Sequence, residues 1–441
     1  MFSSDINPWN VSNTYDYSKL ITKFGISPFK PLLSKIDKPN IYMKRDIIFG
    51  HRNFDPIIDC INNKSFFVVL DGFMPTGMAH FGHKLVMDQI VWYQKNGGNV
   101  VISIADLEAN VVRGIPLKKC FEIGINEYIL NLIAFGLNPK KTFFYFQSKN
   151  ENLLKLSFDL GINVNFNELS SIYGFSESTH LSNMFCTLNQ SSDILMPQLK
   201  EYYGPCNVVI PVGIDQDPHI RLTRDIINKK NLFYIEKRID SKNNSFLSIR
   251  CKKVSEELML SLEKELLSMN LKIKKSKMHI DILNCLNIDL LKSIVKNLLL
   301  NNGYNFFNEP SSTYHKFMTG LNGGKMSSSI LDSHVSLSEL PLNLKKKIIK
   351  AKTGGRETLN EQRIFGGNPE KCPMFEFYLY HLCNKENDIN EIYDNCINGK
   401  LFCGNCKKDI VEKLLVFLKN HNEKKEMILE KNDLTKFLNN F

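Results

Sequence analysis

Two imidazoles three positions apart, His80 and His83, flank Phe81 and Gly82 in the stretch PTGMAHFGHKLVMDQIV. At the start of a helix the unpaired N–H groups and the macrodipole attract phosphate, and Gly82 would let a nucleotide approach the backbone closely. Taken alone, H-x-G-H reads equally well as two incidental surface histidines. About 240 residues later, GLNGGKMSSS sets Lys325 behind two glycines and ahead of Met326, Ser327, Ser328 and Ser329. This has the look of a phosphate grip, but the P-loop pattern G-x-x-x-x-G-K-[ST] fails at Thr319 and at Met326. A third constellation is made of thiols. Cys396, Cys403 and Cys406 are spaced x6 and x2, and Cys372 lies upstream across a gap of 23 residues, with Cys383 as a competing ligand. In a reducing compartment Cys-x2-Cys favours metal over disulfide. Four thiolates suit Zn²⁺ and an iron–sulfur cluster alike, and buried free thiols are the remaining reading.

These groups need elements to hold them. SFFVVLDG reads as a short buried strand, and HKLVMDQIVWYQK as a helix on the period of Leu85, Val86, Ile90 and Val91, stopped by Gly97-Gly98. NVVISIA, TFFYFQ and CNVVIPVG are further apolar strands, with LKKCFEIGINEYILNLIAFG and DPHIRLTRDIINK as helices among them. Fully apolar strands alternating with helices predict an α/β fold with a Rossmann-like, doubly wound parallel sheet, whose ligands lie outside the carboxyl ends of the strands. Residues 1–60, broken by Pro8, Pro28, Pro31 and Pro39, read as an N-terminal extension, and 61–239 as the catalytic Rossmann domain with a connective insertion. Residues 240–309, with KIKKSK and leucine-rich stretches, read as a helical insert; 310–334 carry the lysine loop; 335–441 look helical throughout.

The 441 residues, 43% apolar and 23% charged, are those of an ordinary globular protein, and no run of 18 apolar residues suggests a membrane span. The start, MFSSDINPWN, lacks the basic and apolar regions of a secretory signal, so a cytoplasmic protein with reduced thiols is expected. A net charge of +10 favours a polyanionic partner weakly. Lys345-Lys346-Lys347 and Lys407-Lys408 could meet nucleic-acid phosphates, though such runs are more often a solvated face.

His80-Phe81-Gly82-His83 after the first apolar strand, followed in order by Lys325-Met326-Ser327-Ser328-Ser329, resembles the HIGH and KMSKS signatures of class I aminoacyl-tRNA synthetases. GIDQDPHIRLTRDI (213–226), GFMPTGMAHFGHK, ADLEA, TGGRETLNEQRIFGGNPE (353–370) and NPWNV…DYSKLITKFGI resemble the tryptophanyl-tRNA synthetases of archaeal and eukaryotic type, over nearly all the chain outside 240–309. On that resemblance the insert is atypical of the family, and the helices from 335 form an anticodon-binding domain. The implied activity joins tryptophan to ATP as an adenylate and then to tRNA(Trp), with Mg²⁺, in a homodimer and away from membranes. The alternatives are tyrosine specificity on the same scaffold and a non-catalytic tRNA-binding relative.

The resemblance also assigns residues. His80, His83 and Lys325 are implied as catalytic. Pro75, Thr76, Gly82, Gly213, Asp215, Met326, Ser327 and Ser328 would hold ATP, and Glu108, Gln198, Gln216 and Ser103 tryptophan, with Glu108 on the ammonium. Eukaryotic members grip the indole N–H with a tyrosine and a glutamine, but Leu70 and Ser103 stand at those positions. Some members carry a [4Fe–4S] cluster on Cys-x22-Cys-x6-Cys-x2-Cys. Here Cys372, Cys396, Cys403 and Cys406 follow that order with the first gap one residue longer, so the implied centre is a cluster, or else Zn²⁺.

Overall fold

The computed structural model describes residues 17–241, 243–251, 255–324, 326 and 330–430. Eleven strands follow in chain order: β1 (Ser27–Pro28), β2 (Ile48–Arg52), β3 (Val68–Phe73), β4 (Asn99–Ile104), β5 (Thr142–Phe146), β6 (Val208–Gly213), β7 (Phe233–Ile239), β8 (Ser245–Cys251), β9 (Ile273–Lys275), β10 (His279–Ile282) and β11 (Ser311–His315). Seven of them form one sheet in the order β1-β2-β11-β6-β3-β4-β5. The strands from β11 to β5 run parallel, as the apolar runs predict. The edge is different: β2 joins β11 antiparallel and β1 joins β2 antiparallel, so the sheet is mixed. Residues 27–52, within the expected N-terminal extension, thus complete the sheet.

Both faces of this sheet are buried, and the two-residue period of a strand divides its side chains between two cores. Val69, Val100, Ile102 and Phe144 feed the core shared with the helix Phe81–Lys95 and the C-terminal helices. Val68, Leu70, Val101 and Tyr145 feed the core under the helices Leu181–Leu195 and Asp217–Lys230. The chain leaves β3 in one direction for β4 and β5, while β6 and β11 lie on its other side, so the switch point is between β3 and β6. These strands pair only at Val68↔Val208 and Val69↔Val209, whereas β3 pairs with β4 along its whole length. Past Val209 they diverge, and Pro211, which has no N–H to donate, sits where the β3 ladder has ended. The result is a cleft at the carboxyl ends of β3 and β6, where open α/β sheets bind ligands.

The 240–309 region is not a helical insert. It is mostly a second unit, begun already at Phe233, with an antiparallel sheet β7-β8-β10-β9 and the helices Glu256–Ser268 and Ile288–Asn301. Its own core joins Leu247, Ile249, Leu262, Leu266, Ile280, Ile282, Leu291 and Leu299. The helices account for the leucine richness, while the strands are only about half apolar, and β9 and β10 are also short, which hid them. From 341 the described chain is helical, through Pro341–Lys350, Leu359–Phe365, Pro373–Phe377, Glu386–Ile397 and the long helix Cys403–Glu430. Among the described residues no helix is long and apolar enough to cross a membrane.

Candidate active site

The helix Phe81–Lys95 begins at the carboxyl end of β3, past the turn that carries Pro75 and Thr76. His80 is its N-cap, and the two signature histidines cap it reciprocally. The Gly82 N–H donates to His80 Nδ1 at 3.1 Å, and the His80 N–H donates to His83 Nδ1 at 3.1 Å. The rings stack with centroids 3.9 Å apart. Because each Nδ1 accepts, the neutral rings carry their protons on Nε2, which makes Nε2–H the donor end of each. A helix N-terminus with such donors is chemically suited to phosphate oxygens.

The two signature segments meet here. A Cβ on Gly82 would lie 2.9 Å from His80 Cε1 and 3.6 Å from Met326 Sδ, so the glycine keeps the cap compact with Met326 against it. Met326 is buried. Beyond the lysine loop the chain returns to the same helix: the Leu337 N–H donates to the Ala79 carbonyl at 2.7 Å and the Phe81 N–H to the Val335 carbonyl at 3.3 Å. His334 then stands with its ring 5.0 Å from that of His80. The near end of the loop is tied as well. The Leu321 N–H bonds the Ser333 carbonyl at 2.9 Å and the Lys352 N–H bonds Leu321 at 2.8 Å. Lys325, Ser327 and Ser328 lie outside the described residues.

At the carboxyl end of β6, Gly213 and the buried Asp215 open the turn Ile214–Gln216, and Gln216 caps the helix Asp217–Lys230 half-buried. A cluster of buried polar side chains lies beneath the helix Leu181–Leu195. Glu108, buried in the first turn of Asp106–Arg113, accepts from Gln190 Nε2 at 2.7 Å. One turn further along the same face, Asp193 accepts from Ser103 Oγ at 3.1 Å, from Gln147 Nε2 at 2.7 Å and from the Tyr145 hydroxyl. Burial pushes the Asp193 carboxyl up to about 7 against the pull of those bonds. Glu108 and Ser103, both expected at tryptophan, are therefore held by one helix. Gln198 has another setting: its Nε2 donates to the Asn308 carbonyl at 2.9 Å and its Oε1 accepts the Asn308 N–H at 2.7 Å. That pairing fastens the end of the second unit to the catalytic domain and engages both ends of the amide, so the geometry points Gln198 at the chain's own backbone.

Sequence reasoning passed over Asp193, Gln190, Tyr145 and Gln147. The signal available was the unbroken polar run Asn189-Gln190-Ser191-Ser192-Asp193. In the fold Asn189, Ser191, Ser192 and Asp193 are buried.

The four cysteines come together in the C-terminal domain. Cys372 precedes the helix Pro373–Phe377, Cys396 lies in the last turn of Glu386–Ile397, and Cys403 and Cys406 share one face at the start of Cys403–Glu430. All four line one pocket, with Met374, Phe375, Ile392 and Leu401 as its apolar walls. Cys383 is buried but does not line it. Glycine is required around the thiols, because a Cβ on Gly355 would lie 2.5 Å from Cys403 Sγ and one on Gly367 2.8 Å from Cys396 Sγ. Burial, then the neighbouring thiol charges, pushes Cys396 up to about 11 and Cys406 up to about 12. Among the described residues no three His, Cys, Asp or Glu side chains converge into a group placed to hold a metal ion. Two of the lysines expected at phosphates are occupied: Lys407 Nζ donates to the Ile349 and Ala351 carbonyls, and Lys347 Nζ to Glu339 at 2.7 Å. Lys345, Lys346 and Lys408 are exposed.

The model of the family "tRNA synthetases class I (W and Y)" matches residues 62–263 and 284–419, so it runs into the second unit from both sides. Tryptophan–tRNA ligases of Methanosarcina acetivorans and Archaeoglobus fulgidus are 47% and 43% identical, each over 96% of this chain and 97% and 98% of their own. Among solved structures, the tryptophanyl-tRNA synthetase of Aeropyrum pernix K1 superposes with a TM-score of 0.75 at 35% identity, covering 98% of both chains. A tryptophanyl-tRNA synthetase homolog from Entamoeba histolytica, at 14% identity and a TM-score of 0.73, shares the fold.

Proposed function

The chain belongs to the class I tRNA synthetases of the W and Y group, and from that premise we propose how its residues divide the work of a tryptophan–tRNA ligase. It activates tryptophan with ATP and passes the tryptophanyl group to tRNA. The observation that carries the reading is the meeting of Gly82 and Met326 at the sheet's switch point, beside a buried carboxylate pocket. The tryptophan carboxylate attacks the α-phosphorus, the bond to the β-phosphate oxygen breaks, and pyrophosphate leaves. A carboxylate is ionised at neutral pH, so no general base is needed. What the step needs is alignment and positive charge around a phosphorus that gathers negative charge.

His80 and His83 offer Nε2–H donors to the phosphates, with Lys325 reaching them from its loop. Mg²⁺ on the triphosphate supplies further positive charge. Pro75, Thr76, Gly82 and Met326 shape the floor beneath the triphosphate, with Ser327 and Ser328 from the loop, while Gly213 and Asp215 meet the adenosine. Glu108 takes the substrate ammonium, helped by Gln216, and Asp193, steadied by Ser103, takes the indole N–H. ATP–pyrophosphate exchange measured with each of the twenty amino acids should respond to tryptophan. Tyrosine should be poor, because an indole pocket leaves polar groups unpaired around a phenol. Comparable exchange with tyrosine would falsify the specificity.

We propose a thiolate-ligated metal centre for the pocket that Cys372, Cys396, Cys403 and Cys406 line, which the thiols would have to close in to hold. Its donors are four sulfurs, its walls are apolar, and its glycines leave room around the thiols. Four thiolates suit either metal, and the resemblance to family members that carry Cys-x22-Cys-x6-Cys-x2-Cys is what favours [4Fe–4S] over Zn²⁺. The chemistry such a centre supplies is structural, tying the long C-terminal helix to the segment that follows 370, away from the adenylation site. Protein purified without oxygen should be brown and carry iron and sulfide. Cys403→Ser should bleach it, lower the Tm, and weaken tRNA charging more than pyrophosphate exchange. Colourless protein with stoichiometric zinc would move the site to Zn²⁺, and protein with neither metal would leave four free thiols, Cys372 buried and the other three half-buried.

The exposed Phe158, Ile162, Leu181 and Phe185, with Phe158 and Phe185 rings 6.2 Å apart, form an apolar patch that supports a homodimer. tRNA(Trp) is the nucleic-acid partner, with its anticodon at the C-terminal helices, and the cytoplasm the place of work.

A further inference from the structure

One short helix of the C-terminal domain, Pro373–Phe377, touches both signature segments. The Phe377 ring packs edge-on against that of Phe81, between the two signature histidines, with centroids 5.6 Å apart. The preceding residue, Glu376, accepts two bonds from Thr319, at the stem of the lysine loop. The Thr319 N–H reaches Oε2 at 2.5 Å and its hydroxyl reaches Oε1 at 2.6 Å. The pair joins residues 57 positions apart, and Thr319 leads directly into Gly320, whose N–H closes a tight turn onto Gly324 at 2.6 Å. The far end of the same loop is pinned to Ala79 and Phe81 by backbone bonds. The near end is tied by Leu321 to Ser333 and Lys352, and its side-chain anchor is the Glu376 carboxylate, on a helix that is itself packed on Phe81.

We infer that Glu376 is a positioning residue for adenylation: from the C-terminal domain it sets the stem of the lysine loop at a fixed place beside His80 and His83. The inference rests on the ligase reading above. Glu376 touches no substrate, so its effect falls on the alignment of Lys325 with the triphosphate and not on the tryptophan pocket beneath Leu181–Leu195. A charge-assisted pair of bonds is at stake, and its loss is felt in the step that needs the lysine.

The test uses the full-length chain and pyrophosphate exchange, with kcat and both KM values measured separately. Glu376→Ala should lower kcat about 10- to 100-fold and leave the KM for tryptophan in place. Glu376→Gln, which keeps one acceptor oxygen, should recover part of that loss. Thr319→Ser should behave as the parent, whereas Thr319→Val, which removes only the hydroxyl bond, should show a smaller loss of kcat. Glu376→Ala with Thr319→Val should be no worse than Glu376→Ala alone, since both delete one interaction. An unchanged kcat in Glu376→Ala, a matching rise in the KM for tryptophan, or additive losses in the double variant would each overturn the inference. If Glu376→Ala does not fold, Thr319→Val against Thr319→Ser decides the matter: a kcat loss confined to Val supports the clamp, and equal kcat values refute it. Parent protein without tryptophan-dependent exchange would fail the ligase reading itself, which separates the two failures.

Discussion

Replacing Lys325 by alanine should cut adenylate formation by about 10²–10³ while leaving tryptophan binding nearly intact, because one preorganised donor to a developing charge is removed. His83→Ala should do the same. Its ring is fixed by the His80 N–H at Nδ1 and by the stack against His80, so the alanine loses both a placed Nε2–H and the reciprocal cap. The two losses differ in one way. His83→Ala also leaves the His80 N–H without its acceptor, so a lower Tm should accompany it, by an amount set by a helix cap worth about 1 kcal/mol. Single-turnover formation of the adenylate, with tryptophan affinity measured separately by calorimetry, reads both effects. Unchanged single-turnover rates in both variants would mean that the phosphates are held by something other than the two signatures.

Much of this site was legible in the chain because its chemistry restricts residue types. Imidazole and ammonium are among the few side chains that donate to phosphate, glycine lets a nucleotide approach the backbone, and so HFGH and GGKM stand out in the sequence. The parallel strands β3 to β6 were legible for a related reason: buried on both faces, they are continuous apolar runs. What escaped was polar and local. IFGHR in β2 has a glycine and a histidine in place of apolar residues, and it lies in a segment punctuated by prolines, so its place at the edge of the catalytic sheet depends on β11 more than 250 residues away. In the second unit, HIDI alternates correctly for a strand but is four residues long, too short to outweigh the leucines of the helix that follows. The cysteine spacing named four candidates and one competitor. Only the fold sets Cys383 apart from the pocket, since a position between Cys372 and Cys396 in sequence says nothing of which way a helix turns it.

Asp193 was the least legible of all, and substituting it carries the second large expectation. A carboxylate has about four acceptor positions. Ser103, Tyr145 and Gln147 fill three, and the indole N–H, a donor with no acceptor capacity, suits the fourth. Asp193→Ala would leave those three donors and the substrate's own N–H unpaired in a buried site, so kcat/KM for tryptophan should fall about 10²–10³-fold. Loss of structure alone would also lower that ratio, and a substrate without the donor separates the two causes. Benzothienylalanine has sulfur where tryptophan has N–H and is close to it in shape. The parent should discriminate strongly against it, and in Asp193→Ala the discrimination should collapse because neither substrate finds an acceptor. The ionised form is the better acceptor, and burial pushes this carboxyl up to about 7. As pH falls through that value the parent should therefore bind tryptophan more weakly, while Asp193→Asn, with nothing to protonate there, should lack the step. Discrimination retained in full by Asp193→Ala would assign the indole N–H to another acceptor and leave Asp193 as a brace for Tyr145 and Gln147.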